Sequence, residues 1–396
     1  MRDIAIVGAS LAGTSAAVAL RDAGFDGTIR LIDAADELPS DRPPLSKQVL
    51  AGTMAVEAAA QPNAARLGDL DLDLLLGTAA AALDAETRTL RLSDGSELSA
   101  DGIVLATGAT PRRLGTELDG VHALRTLDDC LAIRADLERG PRRVLVVGAG
   151  FIGAEVAATC RGLGLDVTMV EALRWPLQRV LPGEIGGFVA DLHASEGVDV
   201  RLGVGVAELE GSGRVERVVL SDGSEVVADV VVAGIGVVPC IDWLRSSSLA
   251  LGSGVRCDET CLAAPGIVAA GDLCEWPNPL YDEEMRVEQW ENAIEQGGHA
   301  GRRLLEGVDD GTPFASVPWF WSDQYDRKIQ LAGRVGPDDE VEVVEGSIEE
   351  RRFVALFRRG DRCTAVLGVN RPRHVVQLRM AMERPLAWSD AVERFR

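Results

Sequence analysis

A glycine-rich motif occurs twice in this chain, and it limits the fold more than any other feature of the sequence. The first copy, Gly8–Gly13, follows the apolar run Ile4–Val7, and the second copy, Gly148–Gly153, follows Arg143–Val147. In both copies the preceding residues have the composition of a buried strand, and the following residues are typical of a helix. The sequence therefore predicts two strand–turn–helix units of the kind that binds the pyrophosphate of a dinucleotide.

A carboxylate follows each motif at the distance that such a unit requires. Asp33 ends the apolar run Ile29–Ile32 after the first motif, and Glu171 ends Val167–Val170 after the second. An acid roughly 20 residues beyond the motif accepts hydrogen bonds from a ribose diol. A glycine turn can also serve close packing alone, but two complete copies favour nucleotide binding. The predicted cofactor residues of the two turns are Gly8, Ser10, Ala12, Gly13 and Asp33, and Gly148, Gly150, Ile152, Gly153 and Glu171.

A second repeat follows each of these units. Leu92–Glu97 recurs residue for residue as Leu220–Glu225, and each copy places Asp-Gly between alternating apolar residues. This pattern is a strong signal for a hairpin. An apolar run that ends on a glycine, Gly108 or Gly236, comes next in both copies. The duplicated order predicts two α/β domains built on the same plan.

The two units are expected to bind different cofactors, a flavin at the first and a nicotinamide at the second. The charged, proline-containing loop Ser40–Lys47 follows the first unit and has no counterpart in the second. The run Gly266–Asp272 is predicted to be a short strand whose terminal aspartate holds a ribityl hydroxyl. Glu171 favours NADH over NADPH because a carboxylate repels a 2′-phosphate, and the nearby Arg174 can weaken that preference.

Tryptophans are concentrated in one part of the chain. Trp276, Trp290, Trp319 and Trp321 lie close together in the sequence. Aromatic faces stack on flavin or nicotinamide rings, but they serve equally well in cores. The core is the favoured interpretation for Trp276, and both interpretations stay open for Trp319.

The net charge of −22, from 40 Lys and Arg against 62 Asp and Glu, makes nucleic acids and anionic membranes poor partners. The longest uncharged apolar stretch, Val230–Ile241, is far below the ~20 residues of a bilayer span. The N terminus leads directly into a strand, so no signal peptide is expected. Seven cysteines without a Cys-x-x-Cys pair indicate reduced thiols. We expect a cytoplasmic protein without a metal site.

Segments across nearly the whole chain resemble the FAD-dependent, NADH-linked ferredoxin reductases of bacterial oxygenase systems. The matching segments are Gly8–Gly13, Arg42–Lys47, Leu105–Ala109, Leu124–Leu127, Val147–Glu155, Ala270–Asp272 and Pro318–Tyr325. The resemblance implies an α/β fold of the glutathione reductase type, with two Rossmann-like dinucleotide-binding domains and a C-terminal α+β domain. The expected boundaries are 1–112 with 241–311 for FAD, 113–240 for NADH, and 312–396 for the C-terminal domain.

The resemblance also implies roles for individual residues. It places Lys47 near the flavin and pairs it with Glu155, and these two are the predicted catalytic residues. A cation there favours the anionic reduced ring, and the carboxylate balances its charge. The alternative is a surface lysine and a glutamate that merely begins a helix. Further cofactor contacts are predicted at Arg42, Ala80, Thr107, Gly108, Arg125, Gly236, Asp272, Glu288, Trp290 and Trp321.

The position of the cysteines bears on the electron acceptor. Disulfide reductases of this fold carry a redox-active cysteine pair beside the flavin, whereas this chain has no cysteine before Cys130. Cys257 and Cys261 are interpreted as structural thiols, because no basic or aromatic setting marks them as reactive. Without a thiol relay, electrons are expected to leave the flavin directly, which suits a one-electron iron–sulfur acceptor.

The sequence therefore predicts an NADH:ferredoxin oxidoreductase that feeds an oxygenase, with FAD and NADH as cofactors. The expected partner is an acidic 2Fe–2S ferredoxin, and the expected state is a monomer or weak dimer. Residues 351–396 hold eleven arginines against four acids and offer a docking face, unless those arginines are bridged to acids elsewhere. Two alternatives stay open: a reductase of a small acceptor such as a quinone or ascorbyl radical, and a flavin redox sensor resembling apoptosis-inducing factor.

Overall fold

The computed structural model describes residues 1–140, 142–307 and 310–396. The first glycine motif lies between a strand and a long helix, as predicted. The helices up to residue 123 are α1 (Leu11–Asp22) and α2 (Ala64–Leu67). The strands are β1 (Asp3–Val7), β2 (Thr28–Ile32), β3 (Leu72–Leu75), β4 (Ala80–Asp84), β5 (Thr89–Leu92), β6 (Glu97–Ser99), β7 (Gly102–Leu105), β8 (Ala109–Pro111) and β9 (Val121–Ala123).

Residues 124–240 repeat this order, with the second motif between β10 and α4. The helices are α3 (Leu127–Glu138), α4 (Phe151–Gly162) and α5 (Gly183–Ser195). The strands are β10 (Arg143–Val147), β11 (Asp166–Glu171), β12 (Asp199–Leu202), β13 (Val206–Glu210), β14 (Arg217–Leu220), β15 (Glu225–Val227), β16 (Val230–Ala233) and β17 (Val237–Pro239). Both predicted strand–turn–helix units are confirmed.

The remainder of the described chain is rich in strands. Its strands are β18 (Val255–Arg256), β19 (Leu262–Ala264), β20 (Ile267–Ala269), β21 (Cys274–Asn278), β22 (Glu283–Met285), β23 (Trp319–Gln324), β24 (Arg327–Gly333), β25 (Glu340–Ser347), β26 (Arg352–Arg359), β27 (Arg362–Val369) and β28 (Leu386–Ala387). Its helices are α6 (Trp290–Arg303), α7 (Pro372–Ala381) and α8 (Trp388–Glu393). The strand β20 covers the predicted short strand before Asp272.

Two parallel sheets carry the two units. In the first sheet β1 pairs with β2 and β7, while β3 and β20 extend the sheet on either side. In the second sheet β10 pairs with β11 and β16, while β12 and β9 extend it. The strand before each glycine motif is therefore central, and its turn lies at the carboxyl edge of the sheet, where α/β proteins bind ligands.

The second repeat forms hairpins in both copies. Strand β5 pairs antiparallel with β6 across the Asp-Gly turn of the first copy. Strand β14 pairs antiparallel with β15 across the same turn of the second copy. The predicted hairpins are confirmed.

An antiparallel sheet forms the C-terminal part, in the order β23, β24, β27, β26 and β25. Its two faces are covered by helices from different parts of the chain. Val375 and Leu378 of α7 pack on one face together with Val354 and Val366. The other face is covered by α5, although α5 lies between β11 and β12 in sequence. This sheet is therefore buried on both sides by its own chain.

The contact of α5 with the C-terminal sheet is extensive and includes a buried histidine. Phe188 meets Phe353 edge to face, with ring centroids 5.5 Å apart. His193 is fully buried, and its two ring nitrogens lie 2.9 Å from the Tyr325 hydroxyl and 3.1 Å from Gln324 Oε1. Helix α5 thus fixes the second unit to the C-terminal sheet.

Helices α1 and α6 cross so closely that glycine is needed at the contact. A Cβ on Gly297 would lie 2.2 Å from the carbonyl oxygen of Ala12, and one on Gly301 would lie 2.6 Å from that of Ala16. Helix α6 therefore packs directly against the backbone of α1. None of the helices in the described ranges has the length and apolar composition that crossing a bilayer requires.

The buried His193 predicts a loss of stability in acid. Burial lowers the pKa of His193 to about 4, against 6.5 for the free side chain. The unfolded chain therefore binds a proton as the pH falls below 6.5, whereas the folded chain does so only near pH 4. We expect this difference to cost about 2–3 kcal/mol of stability by pH 4.5. The measurement is the thermal midpoint at pH 7 and pH 4.5 for wild type and His193→Gln.

His193→Gln should lose less stability in acid than wild type does. His374→Gln, a substitution of a partly exposed histidine that lies 3.0 Å from Glu345, serves as the control and should lose at least as much stability in acid as wild type does. An equal acid loss in wild type and His193→Gln would contradict the assignment.

Candidate functional site

A cavity of about 1470 Å³ opens where the first sheet, α4 and the C-terminal sheet meet. It brings together most of the residues predicted to bind the flavin. The predicted residues that line it are Gly8, Ser10, Ala12, Asp33, Arg42, Lys47, Ala80, Thr107, Gly108, Arg125, Ile152, Glu155, Asp272, Glu288, Trp290 and Trp321. The predicted residues Gly13, Gly148, Gly150, Gly153, Glu171 and Gly236 lie outside its lining.

The first turn is held tightly against its neighbours. Gly8 has φ +111°, and a Cβ there would lie 2.2 Å from the carbonyl oxygen of Ala106. The Ala9 amide donates to Asp33 Oδ2 at 2.6 Å. Because α1 begins at Leu11, its free amides face the cavity and suit a pyrophosphate.

The second turn repeats this geometry. Gly148 has φ +96°, and a Cβ there would lie 2.4 Å from the carbonyl oxygen of Gly234. The Ala149 amide donates to Glu171 Oε2 at 2.8 Å, and the Leu173 amide donates to Glu171 Oε1 at 2.8 Å. Both acids therefore orient the turn beside which they lie. The guanidinium of Arg174 stacks on the ring of Trp175, 5.2 Å from its centroid.

Gln61 anchors the first turn, and sequence reasoning missed it. Its side chain is buried, and its Nε2 donates to the carbonyl oxygen of Ala9 at 3.2 Å. Its Oε1 accepts from the Thr14 hydroxyl of α1 at 2.9 Å. With Asp33 on the amide and Gln61 on the carbonyl, both polar groups of Ala9 are fixed. Gln61 is distant from Ala9 in sequence, so the local motif carried no signal of it.

Three charged side chains meet at the middle of the cavity. Asp272 accepts a short hydrogen bond from Arg125, and a guanidinium nitrogen of Arg42 lies 3.9 Å from the same carboxylate. Burial, together with the neighbouring charge of Arg125, lowers the pKa of Arg42 to about 10. The group therefore keeps a net positive charge at neutral pH, which suits an anionic ligand.

Lys47 and Glu155 form an ion pair at the cavity wall. Lys47 Nζ lies 3.1 Å from Glu155 Oε1, and the two side chains are 12% and 8% exposed. Glu155 lies in the first turns of α4, and Lys47 lies in the loop after β2. The hydroxyl of Thr159, one turn further along α4, donates to the carbonyl oxygen of Ser46 at 2.7 Å and holds the loop in place. The alternative interpretation of Lys47 as a surface lysine is therefore excluded.

The Glu155 carboxylate accepts further hydrogen bonds that were not predicted. The Ser46 hydroxyl donates to Oε2. From β23, the Ser322 hydroxyl donates to Oε1 at 2.9 Å and the Asp323 amide donates to Oε1 at 3.3 Å. The segment Pro318–Tyr325 was singled out in the sequence, but its polar residues were given no role. A carboxylate with this many donors is held in one position.

Aromatic and polar groups at the start of α6 complete the cavity. The Trp290 indole donates to Asp41 Oδ1 at 2.8 Å, and its ring lies edge to face with Trp321, centroids 5.7 Å apart. Gln289 also lines the cavity, and its buried Oε1 has no hydrogen-bond partner among the described residues. An orphaned acceptor beside a positive cluster and two tryptophans fits a flavin. Trp276 is fully buried in the core, as expected.

The cysteine that lines this cavity is Cys240. Burial raises the pKa of its thiol, so it stays protonated at neutral pH, whereas a thiol relay requires a thiolate. Its backbone carbonyl accepts from the Thr107 hydroxyl at 2.8 Å. Cys261 is buried and Cys257 half-buried. Within the described ranges the structure therefore places no cysteine pair at the cavity.

The anchoring of the first turn predicts an effect on flavin affinity. Gln61→Leu removes the hydrogen bonds to Ala9 and Thr14 with little change in volume. We expect the dissociation constant of FAD to rise about tenfold, because leaving a buried polar partner such as the Ala9 carbonyl unsatisfied costs about 1–3 kcal/mol. The measurement is a flavin fluorescence titration of the apoprotein. Gln48→Leu, the same change at an exposed side chain, should leave the affinity unchanged, and equal effects in both variants would refute the anchoring role.

The acid of the second turn predicts coenzyme preference. Glu171→Ala removes the carboxylate that is expected to accept hydrogen bonds from a ribose diol and to repel a 2′-phosphate. The ratio of kcat/KM for NADH to that for NADPH is expected to fall at least about tenfold. Steady-state kinetics with both coenzymes measure this ratio. Glu208→Ala, an exposed change in the same unit, is the control; a ratio unchanged in Glu171→Ala would contradict the assignment.

Comparison with known proteins places the chain among flavin-dependent oxidoreductases. Residues 2–297 match the model of the pyridine nucleotide-disulphide oxidoreductases, and residues 319–392 match the reductase C-terminal model. Rhodocoxin reductase of Rhodococcus erythropolis is 37% identical over 398 residues, which cover 98% of this chain and 92% of the relative. The ferredoxin–NAD(+) reductase component of the anthranilate 1,2-dioxygenase system of Burkholderia cepacia is 38% identical, with 93% and 91% covered.

Solved structures give the same result. Putidaredoxin reductase in its covalent complex with putidaredoxin superposes with a TM-score of 0.92 at 33% identity, covering 100% of this chain and 98% of that one. The ferredoxin reductase of the CYP199A2 system from Rhodopseudomonas palustris superposes with a TM-score of 0.91 at 34% identity, covering 99% and 98%. The glutathione reductase type of fold is therefore confirmed, and FAD and NAD(H) are the cofactors. The chain belongs to the pyridine nucleotide-disulphide oxidoreductase family and, within it, to the ferredoxin reductases.

Proposed function

We propose that this chain is an NADH:ferredoxin oxidoreductase that supplies electrons to an oxygenase. The observation that carries the proposal is the ion pair of Lys47 and Glu155 at a flavin-sized cavity whose described lining holds no cysteine pair. The ferredoxin reductases that resemble the chain over nearly its whole length support the same activity. We further propose the domain boundaries 1–112 with 241–311, 113–240, and 312–396.

The main predicted site residues have physical tasks in this reaction. The amide groups at the start of α1, with Arg42 and Arg125, bind the pyrophosphate of FAD, and Asp272 holds its ribityl chain. The corresponding turn of the second unit binds NADH. Bound FAD supplies the chemistry of accepting a hydride and releasing two electrons one at a time. The Lys47 ammonium supplies positive charge at the cavity wall, and Glu155 keeps that charge in place.

Two neighbouring tryptophans lie between the cavity and α7. Trp321, which lines the cavity, lies 5.4 Å from Trp319 between ring centroids. The Arg379 guanidinium of α7 lies over the Trp319 ring, 5.4 Å from its centroid. The same guanidinium pairs with Glu295 of α6, so α7 is tied to the helix whose first residues line the cavity. A protein docked on α7 would therefore lie close to the flavin.

The outer face of α7 has the composition of a docking surface. Val376 and Met380 are 47% and 64% exposed and lie one helical turn apart. Arg373 precedes them on the same face, and Arg384 follows them. An apolar centre flanked by cations fits an acidic partner that buries a small contact area.

The arginines of residues 351–396 divide into two groups. The guanidinium groups of Arg358, Arg359, Arg371 and Arg379 pair with acids, so the bridging alternative holds for these. Seven others have no ion pair within the described part of the chain. Of these, Arg362 donates to the carbonyl oxygen of Leu280 and lies over the ring of Tyr281, and the other six are Arg351, Arg352, Arg373, Arg384, Arg394 and Arg396. The second group leaves basic charge free on an otherwise acidic protein.

These features support the finer parts of the proposal. The partner we propose is an acidic 2Fe–2S ferredoxin that docks on the α7 face. A monomer or weak dimer is proposed because α5 and α7 already cover both faces of the C-terminal sheet. All seven cysteines are free thiols, which supports the cytoplasm as the location.

The α7 face predicts a charge-dependent interaction. In an assay of NADH-driven cytochrome c reduction, an added acidic 2Fe–2S ferredoxin should stimulate the rate in a saturable way. Arg373→Glu with Arg384→Glu should raise the KM for ferredoxin about tenfold, since each reversal turns attraction into repulsion, and the effect should shrink at high salt. Reduction of ferricyanide by NADH should be unchanged.

Arg245→Glu, a reversal at a 76% exposed arginine that pairs with Asp242 and lies outside residues 351–396, is the control. If no ferredoxin stimulates the rate while quinones are reduced rapidly, the small-acceptor alternative replaces the proposal. If ferredoxin stimulates equally in both variants, the activity stands and the docking face is wrong.

A further inference from the structure

A chain of buried side chains ends on the Glu155 carboxylate. Ser322 and Gln324 lie two residues apart on β23 and therefore share one face of the sheet. Both are fully buried, and Gln324 Nε2 lies 3.1 Å from Ser322 Oγ. Ser322 Oγ lies 2.9 Å from Glu155 Oε1, and Gln324 Oε1 lies 3.1 Å from His193 Nε2 on α5. The other end of the chain is the Tyr325 hydroxyl, which lies 2.9 Å from His193 Nδ1.

The Glu155 carboxylate fixes the direction of every hydrogen bond in this chain. Paired with Lys47, the Glu155 carboxylate acts as an acceptor, so Ser322 must donate to it. Ser322 Oγ then accepts from Gln324 Nε2, which turns the Gln324 oxygen toward His193. That oxygen can only accept, so His193 carries its proton on Nε2 and accepts at Nδ1 from Tyr325.

The last two groups of the chain, His193 and Tyr325, have the protonation states that this direction requires. Burial lowers the pKa of His193 to about 4, so the ring is neutral at physiological pH and has one nitrogen free to accept. Burial also raises the pKa of the Tyr325 hydroxyl well above its usual value, so it remains a donor. All donors therefore point toward Glu155, and hydrogen bonds aligned in this way polarise one another.

The chain joins three parts of the structure at one carboxylate. Glu155 and His193 come from α4 and α5, and the other members come from β23 or the residue that follows it. Lys47, on the opposite side of the carboxylate, belongs to the loop after β2. The position of the ion pair thus depends on contacts made far from the cavity.

We propose that Ser322, Gln324 and His193 are positioning residues that direct an aligned chain of donors onto Glu155 and so set the charge that Lys47 presents to the flavin. The proposal rests on the function proposed above. Donors on the carboxylate disperse its negative charge. Without them, Glu155 offsets the Lys47 ammonium more completely, and the reduced flavin, which carries negative charge, is less favoured.

The test is the ratio of oxidised to reduced flavin in the FAD-loaded protein, measured by absorbance against a redox dye at one fixed potential. Ser322→Ala removes a donor to Glu155 and Gln324→Leu removes the bond that orients this donor, and each is expected to raise this ratio about fivefold, in keeping with the loss of one buried hydrogen bond. Glu155→Gln should lower the ratio, since it removes the negative charge itself. The double variant should match the larger single effect, because the two residues act in one chain.

Two further variants separate positioning from simple structural support. Gln330→Leu makes the same change at a buried glutamine on β24, opposite Trp321, and should leave the ratio unchanged. Ser322→Thr keeps the hydroxyl and should retain the wild-type ratio. Additive effects in the double variant, an unchanged ratio in Ser322→Ala, or an equal shift in Gln330→Leu would each overturn the proposal. Because the flavin measurement contains no ferredoxin, its outcome does not depend on the outcome of the docking assay.

Discussion

The structure depends on placing one carboxylate and one ammonium together where little solvent reaches them. Removing two charges from water costs more than their mutual attraction returns unless hydrogen bonds satisfy the remaining lone pairs. At Glu155 those bonds come from Ser46, Ser322 and the Asp323 amide, in addition to Lys47. The donors belong to the first unit and to the C-terminal sheet, while the acceptor belongs to the second unit. The ion pair is therefore stable only when all three parts are assembled.

The local parts of the site were predictable because their geometry is encoded by residues close in sequence. A glycine with positive φ, a central strand before it and an acid at the end of the next strand define the turns at Gly8 and Gly148, and the structure contains both. The hairpins followed from Asp-Gly between alternating apolar residues for the same reason. The clustered tryptophans left cofactor stacking and core packing open, with the core favoured for Trp276, and the structure places Trp276 in the core while Trp290 and Trp321 line the cavity.

The parts that sequence reasoning missed depend on side chains that meet from distant segments. Gln61 lies 52 residues from the carbonyl that it fixes, and Ser322 lies 167 residues from Glu155. No periodicity or spacing connects such pairs. The packing of α5 on the C-terminal sheet was missed for a related reason: a helix between two strands of a parallel sheet is expected to cover that sheet. Among the arginines of residues 351–396, only the structure distinguishes those that pair with acids from those that do not.

The near absence of lysine has a practical consequence. Of 40 basic residues, two are lysines and 38 are arginines. Lys47 is 12% exposed and bound to Glu155, whereas Lys328 is 43% exposed and pairs with Asp323, whose amide donates to the same Glu155 carboxylate. Besides the chain terminus, an amine-selective reagent therefore meets one accessible and one shielded position. The rate at which Lys47 is acylated therefore reports whether its ion pair with Glu155, which needs all three parts of the molecule, is formed.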